Sequence, residues 1–221
     1  VIAAMALTAA AAALTAVPPQ LRAGDAFVYS DGHVEQVRGF RDGQTEWGGL
    51  ERRSHWRPRH PVLPITAWTS GRGEGRRHVV GAPDDLWPMG TRRSVQFRVV
   101  TEVRQRNSEN WVRDVEHWRC RVGNSGPTKV PAGEFIATHI SCDRHSPTTM
   151  RLLERHEWDY APDLGHHVRR TWLDYARASK RSVELVAALA GPAASPARLK
   201  ALARQLDRER RRPEPRPAKA I

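Results

Sequence analysis

The chain has 221 residues, of which 39% are hydrophobic and 27% charged, and 36 Lys and Arg stand against 24 Asp and Glu for a formal net charge of +12. That length can bury a sizeable core as one large domain with short tails. A mean hydropathy of −0.61 excludes a multi-span membrane protein, and eight tryptophans argue against wholesale disorder.

Residues Val1 to Val17 carry no charge and consist of Ala, Val, Ile, Leu, Met and Thr, followed by Pro18-Pro19. An apolar run of this length before a helix-stopping proline pair reads as the apolar region of a secretory signal peptide (residues 1–17), cleaved between Ala13 and Val17. A buried Ala-rich helix and an uncleaved anchor are the alternatives. No cysteine lies near the run, so acylation of a cysteine after the signal is not expected.

From Ala26 to about Trp172 the dominant period is two. Val95-Gln96-Phe97-Arg98-Val99 alternates cleanly, and His33 to Val37 and Ile136 to Cys142 alternate in part. Turn signals separate these runs at Ser30-Asp31-Gly32, Arg41-Asp42-Gly43, Gly71 to Gly75, Gly123-Asn124-Ser125-Gly126 and Pro131-Ala132-Gly133. Short strands at this spacing predict a mainly β domain over residues 18–190, an antiparallel β-barrel, complete or incomplete. Charged stretches such as Arg76-Arg77-His78 are expected on a solvated sheet face. The tryptophans are expected in core and rim packing, or as the lining of an apolar cavity in a barrel of eight or more strands.

Composition shifts after Gly191-Pro192. Ser195 as N-cap and Pro196 in the first turn predict a short basic helix, with Leu199, Leu202 and Leu206 as a narrow apolar stripe. Pro213, Pro215 and Pro217 then give an extended tail. Residues 191–221 are thus read as an exposed basic helix and a Pro-rich tail. From Arg198 to Ile221 nine basic and three acidic residues leave +6, half of the chain's excess. Arg198, Lys200, Arg204, Arg208, Arg210, Arg211 and Arg212 are the candidate contacts with an anionic surface.

Cys120 falls on an apolar face with Trp118 and Val122, and Cys142 on one with Ile136 and Ile140. If exported, the two can pair; two separate buried thiols are the alternative, and a strand lying between them would put their Cα atoms beyond the ~7 Å limit. With two cysteines and no CxxC, a thioredoxin-like site and a four-cysteine zinc site are excluded.

Val130-Pro131-Ala132-Gly133-Glu134-Phe135 and Tyr160-Ala161-Pro162-Asp163-Leu164-Gly165 read locally as Pro/Gly corners between strands, with Pro131, Gly133, Phe135, Tyr160, Pro162 and Gly165 in structural roles. Their order and spacing resemble poorly characterised exported bacterial proteins whose fold is loosely similar to the LolA/LolB lipoprotein-carrier barrel. The resemblance covers roughly residues 110 to 175. It implies an incomplete β-barrel wrapped around apolar side chains or a helix, and it carries no catalytic residues across.

Ten histidines raise the question of a metal, but there is no HExxH and no Cys/His zinc spacing. His166 and His167 are adjacent, so on a regular strand they should point to opposite faces and not share an ion. His55 with His60, and His145 with His156, fall in irregular register. No phosphate-binding glycine loop, no G-x-S-x-G and no carboxylate pair beyond Asp84-Asp85 appears. Neither a cofactor nor a metal is therefore expected. The sequence pI near 11.0 would suit nucleic acid, but export argues against that partner. Anionic envelope surfaces would serve instead.

The expectation is a periplasmic or secreted, non-catalytic binding or carrier module for an apolar or lipid-like ligand, not integral to the membrane unless the first segment stays uncleaved. The alternative is an envelope assembly protein that docks a partner through the leucine stripe and basic segment. A hydrolase ranks below both, since it would need a His, a carboxylate and a nucleophile gathered in one cleft.

Overall fold

The computed structural model describes residues 21–50, 53–58, 63–89 and 93–211. The signal-like run and the Pro-rich tail with Arg212 lie outside the described residues. Twelve strands follow one another: β1 (Ala26–Tyr29), β2 (Val34–Arg41), β3 (Gln44–Gly48), β4 (Ser54–Pro58), β5 (Ala67–Ser70) and β6 (Gly73–Gly81), then β7 (Ser94–Gln105), β8 (Val112–Val130), β9 (Gly133–His145), β10 (Leu152–Ala161), β11 (His166–Asp174) and β12 (Ser179–Leu189). Each pairs antiparallel with its chain neighbour, and β1 pairs with β12 to close the barrel. The barrel is therefore complete, not the open one that the motif resemblance implies. Closure removes the unpaired edges an open sheet would expose.

Alternation sets which side chains face inward. On β7, Val95, Phe97 and Val99 are buried while Gln96 and Arg98 are exposed. The interior fills in two apolar clusters. One gathers Leu86, Phe97, Cys120, Ile140, Trp158 and Tyr160. The other gathers Phe27, Tyr29, Trp47, Val130, Val168 and Leu185. The Asp42-Gly43 turn has positive φ at both residues, 50° and 72°, the geometry of a two-residue hairpin turn that matches strand twist. Gly123 to Gly126 do not turn. β8 runs straight through them with a register shift against β9 between Val122 and Ser125, because pairing with β9 on both sides outweighs the local turn preference.

The C-terminal helix α1 (Pro196–Arg210) starts at Ser195, whose side chain makes no capping bond. All four residues of β1 are buried, since both of its faces are covered. Phe27 and Tyr29 face the barrel interior, and Ala26 and Val28 pack with Val34 against Leu199 and Ala203 of α1. The leucine stripe, expected to be available to a partner, is thus used within the chain. None of the described helices is long and apolar enough to cross a membrane.

Candidate functional site

The most unusual local geometry lies at the start of β11. Gly165, with φ 62°, closes the short turn of Pro162–Leu164 and releases the chain into the strand. Along the β10–β11 pair Asp159 opposes Arg169, yet Tyr160 opposes His167, so Val168 is an inserted residue. A one-residue bulge breaks the two-residue period and re-aims side chains. His166, His167 and Val168 are all buried as a result, and the two imidazole centroids lie 4.3 Å apart. The expectation that adjacent histidines diverge to opposite faces fails here for that reason.

The pair sits beside Glu35 of β2, itself only 4% exposed. His166 Nε2 is 2.9 Å from Glu35 Oε2. The other oxygen, Oε1, accepts from Arg57 Nη2 of β4 at 3.5 Å and lies 3.6 Å from His33 Nε2. Aromatic rings enclose the cluster. Trp47 stacks on His166 at 4.8 Å, Phe27 lies 4.2 Å from it, and Tyr29 stacks on His167 at 5.0 Å. The Tyr29 hydroxyl donates to the His167 carbonyl at 3.1 Å.

Burial alone would raise the Glu35 pKa, but the Arg57 guanidinium and bonds from His166 and His33 outweigh it and hold the carboxyl well below the usual range. Burial pushes both imidazoles the other way. His166 is lowered despite Glu35, and His167 is lowered well below its ordinary value, with the His166 imidazole adding to the effect. At neutral pH the cluster is one carboxylate, one guanidinium and two neutral imidazoles. A neutral His166 donates to Glu35 through Nε2, leaving its buried Nδ1 without a partner, as is the Nδ1 of His167.

Glu35, His166 and His167 each bring one ligand atom within 4.8 Å of the others. Two imidazoles and a carboxylate are a zinc-type donor set. Arg57 already occupies one Glu35 oxygen, however, and Arg170 lines the space beside Glu35 and His167. A dication entering here would meet two fixed positive charges, so the local field favours an anion. Among the described residues no serine, threonine or cysteine side chain bonds either imidazole, and both cysteines are in a disulfide.

Beyond Arg57 and Arg170 opens a cavity of about 330 Å³. Its apolar wall is Leu63, Ile65, Trp118 and Trp158, and its polar wall holds Arg57, Arg77, Arg144 and Arg170 with Glu116 and Glu154. Arg77, read from the sequence as a solvated charge, is half-buried and bonds Thr101 through Nε at 3.1 Å. Arg144 bridges Glu116 and Glu154, the latter at 2.6 Å. His156, lowered by burial, bonds Glu154 at 2.9 Å. Arg170 makes no hydrogen bond or ion pair with any described residue, and its buried Nε has no partner. Its guanidinium lies over Trp172 at 4.1 Å and Trp158 at 5.6 Å. Burial and then the neighbouring Arg57 push its pKa down to about 10, so it remains charged at neutral pH.

The residues singled out from the sequence lie elsewhere. Cys120 and Cys142 are directly opposite on β8 and β9 and joined by a disulfide, with Cα atoms 4.0 Å apart. Pro131 sits in the two-residue β8–β9 turn, Gly133 opens β9 at φ 135°, and Phe135 packs against the second apolar cluster. Tyr160 is buried with its ring edge-on to Trp87 at 5.3 Å, and Pro162 begins the turn that Gly165 ends. Arg198, Lys200, Arg204, Arg208 and Arg210 are exposed on α1 and Arg211 at its C-cap, where Asp207 pairs with Arg210 and Arg211. They do not converge on the cavity. Glu35, Arg57 and Arg170 were not singled out. The available signal was phase: Arg170 shares the inward phase of Trp172, and Arg57 is the one buried residue in a strand of otherwise half-buried residues.

No protein-family model matches the chain, and no curated protein matches it. Three solved structures are similar in outline. The hypothetical lipoprotein YmcC from Escherichia coli K12 aligns with a TM-score of 0.49 and 5% identity over 74% of this chain and 82% of that one. A protein from Bacteroides fragilis described as exported, with a YmcC-like fold, gives 0.39 and 13% over 80% and 100%. A protein from Parabacteroides distasonis described as a lipoprotein gives 0.37 and 12% over 77% and 97%.

Proposed function

We propose that the chain is an exported, non-catalytic binding or carrier module of the bacterial envelope that holds a small lipid-like ligand inside its barrel. The observation that carries the reading is the cavity of about 330 Å³ beside the first apolar cluster, with Trp118, Trp158, Leu63 and Ile65 as its apolar wall. That volume stands at the lower end of the ~300–1,000 Å³ typical of small-molecule sites. A barrel wider than eight strands has room for such a space. A periplasmic or secreted location is supported by the disulfide, which persists in oxidising compartments, and by the signal-like character of residues 1–17. The exposed basic face of α1 suits an anionic envelope surface, each arginine contributing on the order of 1 kcal/mol.

The assembly reading loses its leucine stripe to β1 and keeps only the basic face of α1 as a docking element. Native mass spectrometry of protein purified from a periplasmic extract tests the carrier reading. The expected result is a reproducible added mass that extracts into organic solvent and is retained when residues 212–221 are removed. A bare mass in both forms, with no uptake of added amphiphile, overturns it.

A further inference from the structure

We infer that the ligand of this cavity is an amphiphilic monoanion whose carboxylate seats on Arg170 beside Arg57 and whose apolar body lies along Trp158, Trp118 and Leu63. The inference rests on the carrier reading above and adds the chemical class of the ligand.

The argument begins with charge. Four guanidinium groups wall the cavity against two carboxylates, and Glu35 stands behind Arg57 as a third. Among the described residues one positive charge is left over. The contacts identify which one. Arg144 has Glu116 and Glu154, Arg57 has Glu35, and Arg77 bonds Thr101 with Glu116 nearby. Arg170 has aromatic faces and no carboxylate within ion-pair distance, Glu35 acting on it only from farther off. Arg170 is half-buried, and its Nε is shut off from water with no acceptor; a donor withdrawn from water is costly unless it is hydrogen-bonded. Stacking on tryptophan offsets part of that cost but fills none of the five donor positions of the fork. A carboxylate fits this deficit, because it accepts two parallel bonds from one guanidinium.

The charge count also limits the ligand. A single excess charge matches a monoanion, whereas a dianionic phosphate monoester would bring an unmatched negative charge beside Glu116 and Glu154. The buried histidines do not alter the balance, since burial lowers the pKa of His156, His166 and His167; His33, which Glu35 raises, is not on this cavity wall. The opposite wall decides between a bare anion and an amphiphile. Leu63, Ile65, Trp118 and Trp158 offer a small inorganic ion nothing, whereas an alkyl or aryl body removes their surface from water. Trp158 joins the two halves of the site, since it lies under Arg170 and lines the apolar wall as well.

Calorimetric titration of the full chain with octanoate, octanol and acetate tests the inference, with Arg170→Met as the variant. Methionine keeps an apolar stem against Trp158 and Trp172 and removes the charge. Octanoate is expected to bind the wild type at least tenfold more tightly than octanol, and acetate at least tenfold more weakly than octanoate. In Arg170→Met the preference of octanoate over octanol should disappear. Equal binding of octanol and octanoate by the wild type overturns the inference while leaving the carrier reading in place. So does a preference that survives in Arg170→Met, and so does acetate binding as tightly as octanoate. If Arg170→Met does not fold, the wild-type ratio of octanoate to octanol still decides. Binding of neither amphiphile, together with a bare mass from the periplasm, removes both readings.

Discussion

Opening the Cys120–Cys142 bond should cost the barrel about 3 kcal/mol. The bond joins opposed residues of β8 and β9 separated by 22 positions in sequence. For a loop of that length the chain-entropy relation gives roughly 11 cal/mol/K, or about 3.4 kcal/mol at 25 °C. Residual pairing of the β8–β9 hairpin in the unfolded chain would reduce the figure. The freed thiols stay fully buried in an apolar cluster, where a cysteine behaves as a small hydrophobe and adds no penalty. For a chain of this size a loss of about 3 kcal/mol corresponds to a fall in Tm of roughly 6–12 °C. Urea unfolding at pH 7 with and without reductant measures it, and the mass change on alkylation verifies that two thiols are released. The urea slope should also rise, because the reduced chain exposes more surface on unfolding. A difference below about 1 kcal/mol, with both thiols verified free, would refute the view that this bond constrains the unfolded chain.

Three further outcomes follow from the same packing. Glu35→Gln removes the buried carboxylate that faces Arg57 and His166 and should destabilise by roughly 3–5 kcal/mol in urea unfolding; a loss under ~1 kcal/mol would refute a stabilising role for that charge. Acid should weaken the fold in two stages. His55, lowered to about 4, and His156, His166 and His167, also lowered, resist protons that the unfolded chain takes up near 6.5, so stability falls as the pH drops below that value. Glu35, depressed below 4.5, contributes stability that is complete above that pH and lost as the pH falls through its folded value. His33 and His139, raised by Glu35 and Asp159, offset part of the first stage. The urea midpoint followed from pH 7 to 2 checks both stages, and His167→Leu should flatten the first. Leu199→Ala should cost about 2–3 kcal/mol, the low end for a buried leucine at the edge of a core, and leave octanoate binding unchanged; a matching loss of binding would tie α1 to the cavity.

The barrel was legible where local pattern and long-range pairing agree. Val95 to Val99 alternate in sequence and in burial, and the Asp42-Gly43 turn has the backbone that its residues favour. Closure was not legible, because β1 and β12 pair residues such as Ala26 and Leu189 that no local signal connects. Gly123 to Gly126 misled for the complementary reason. Glycine and asparagine favour a turn in an isolated peptide, but twelve residue pairs with β9 hold that stretch in a strand. The destination of the leucine stripe was hidden as well, since amphipathicity specifies that a helix has an apolar face and not what covers it.

The site was harder to read because it depends on departures from the regular period. A strict alternation through His166-His167-Val168 assigns the two imidazoles to opposite faces. The single extra residue at Val168 turns both inward and brings them beside Glu35, 131 residues earlier in the chain than His166. Nothing in the local sequence marks that insertion. The inward arginines were more accessible. Arg170 opposes Trp158 on β10 and Val183 on β12, both buried, and on β11 it keeps step with Trp172. An arginine in phase with apolar residues is an expensive choice for a packed interior, where leucine would serve stability better. A second guanidinium, Arg57, lies close enough to depress the first, which compounds the cost. Stability alone does not account for such a pair beside a cavity, whereas an anionic ligand that supplies the missing charge does. That is why the phase of charged residues within a β-period, more than the count of ten histidines or the net charge of +12, is the feature of this sequence most informative about its site.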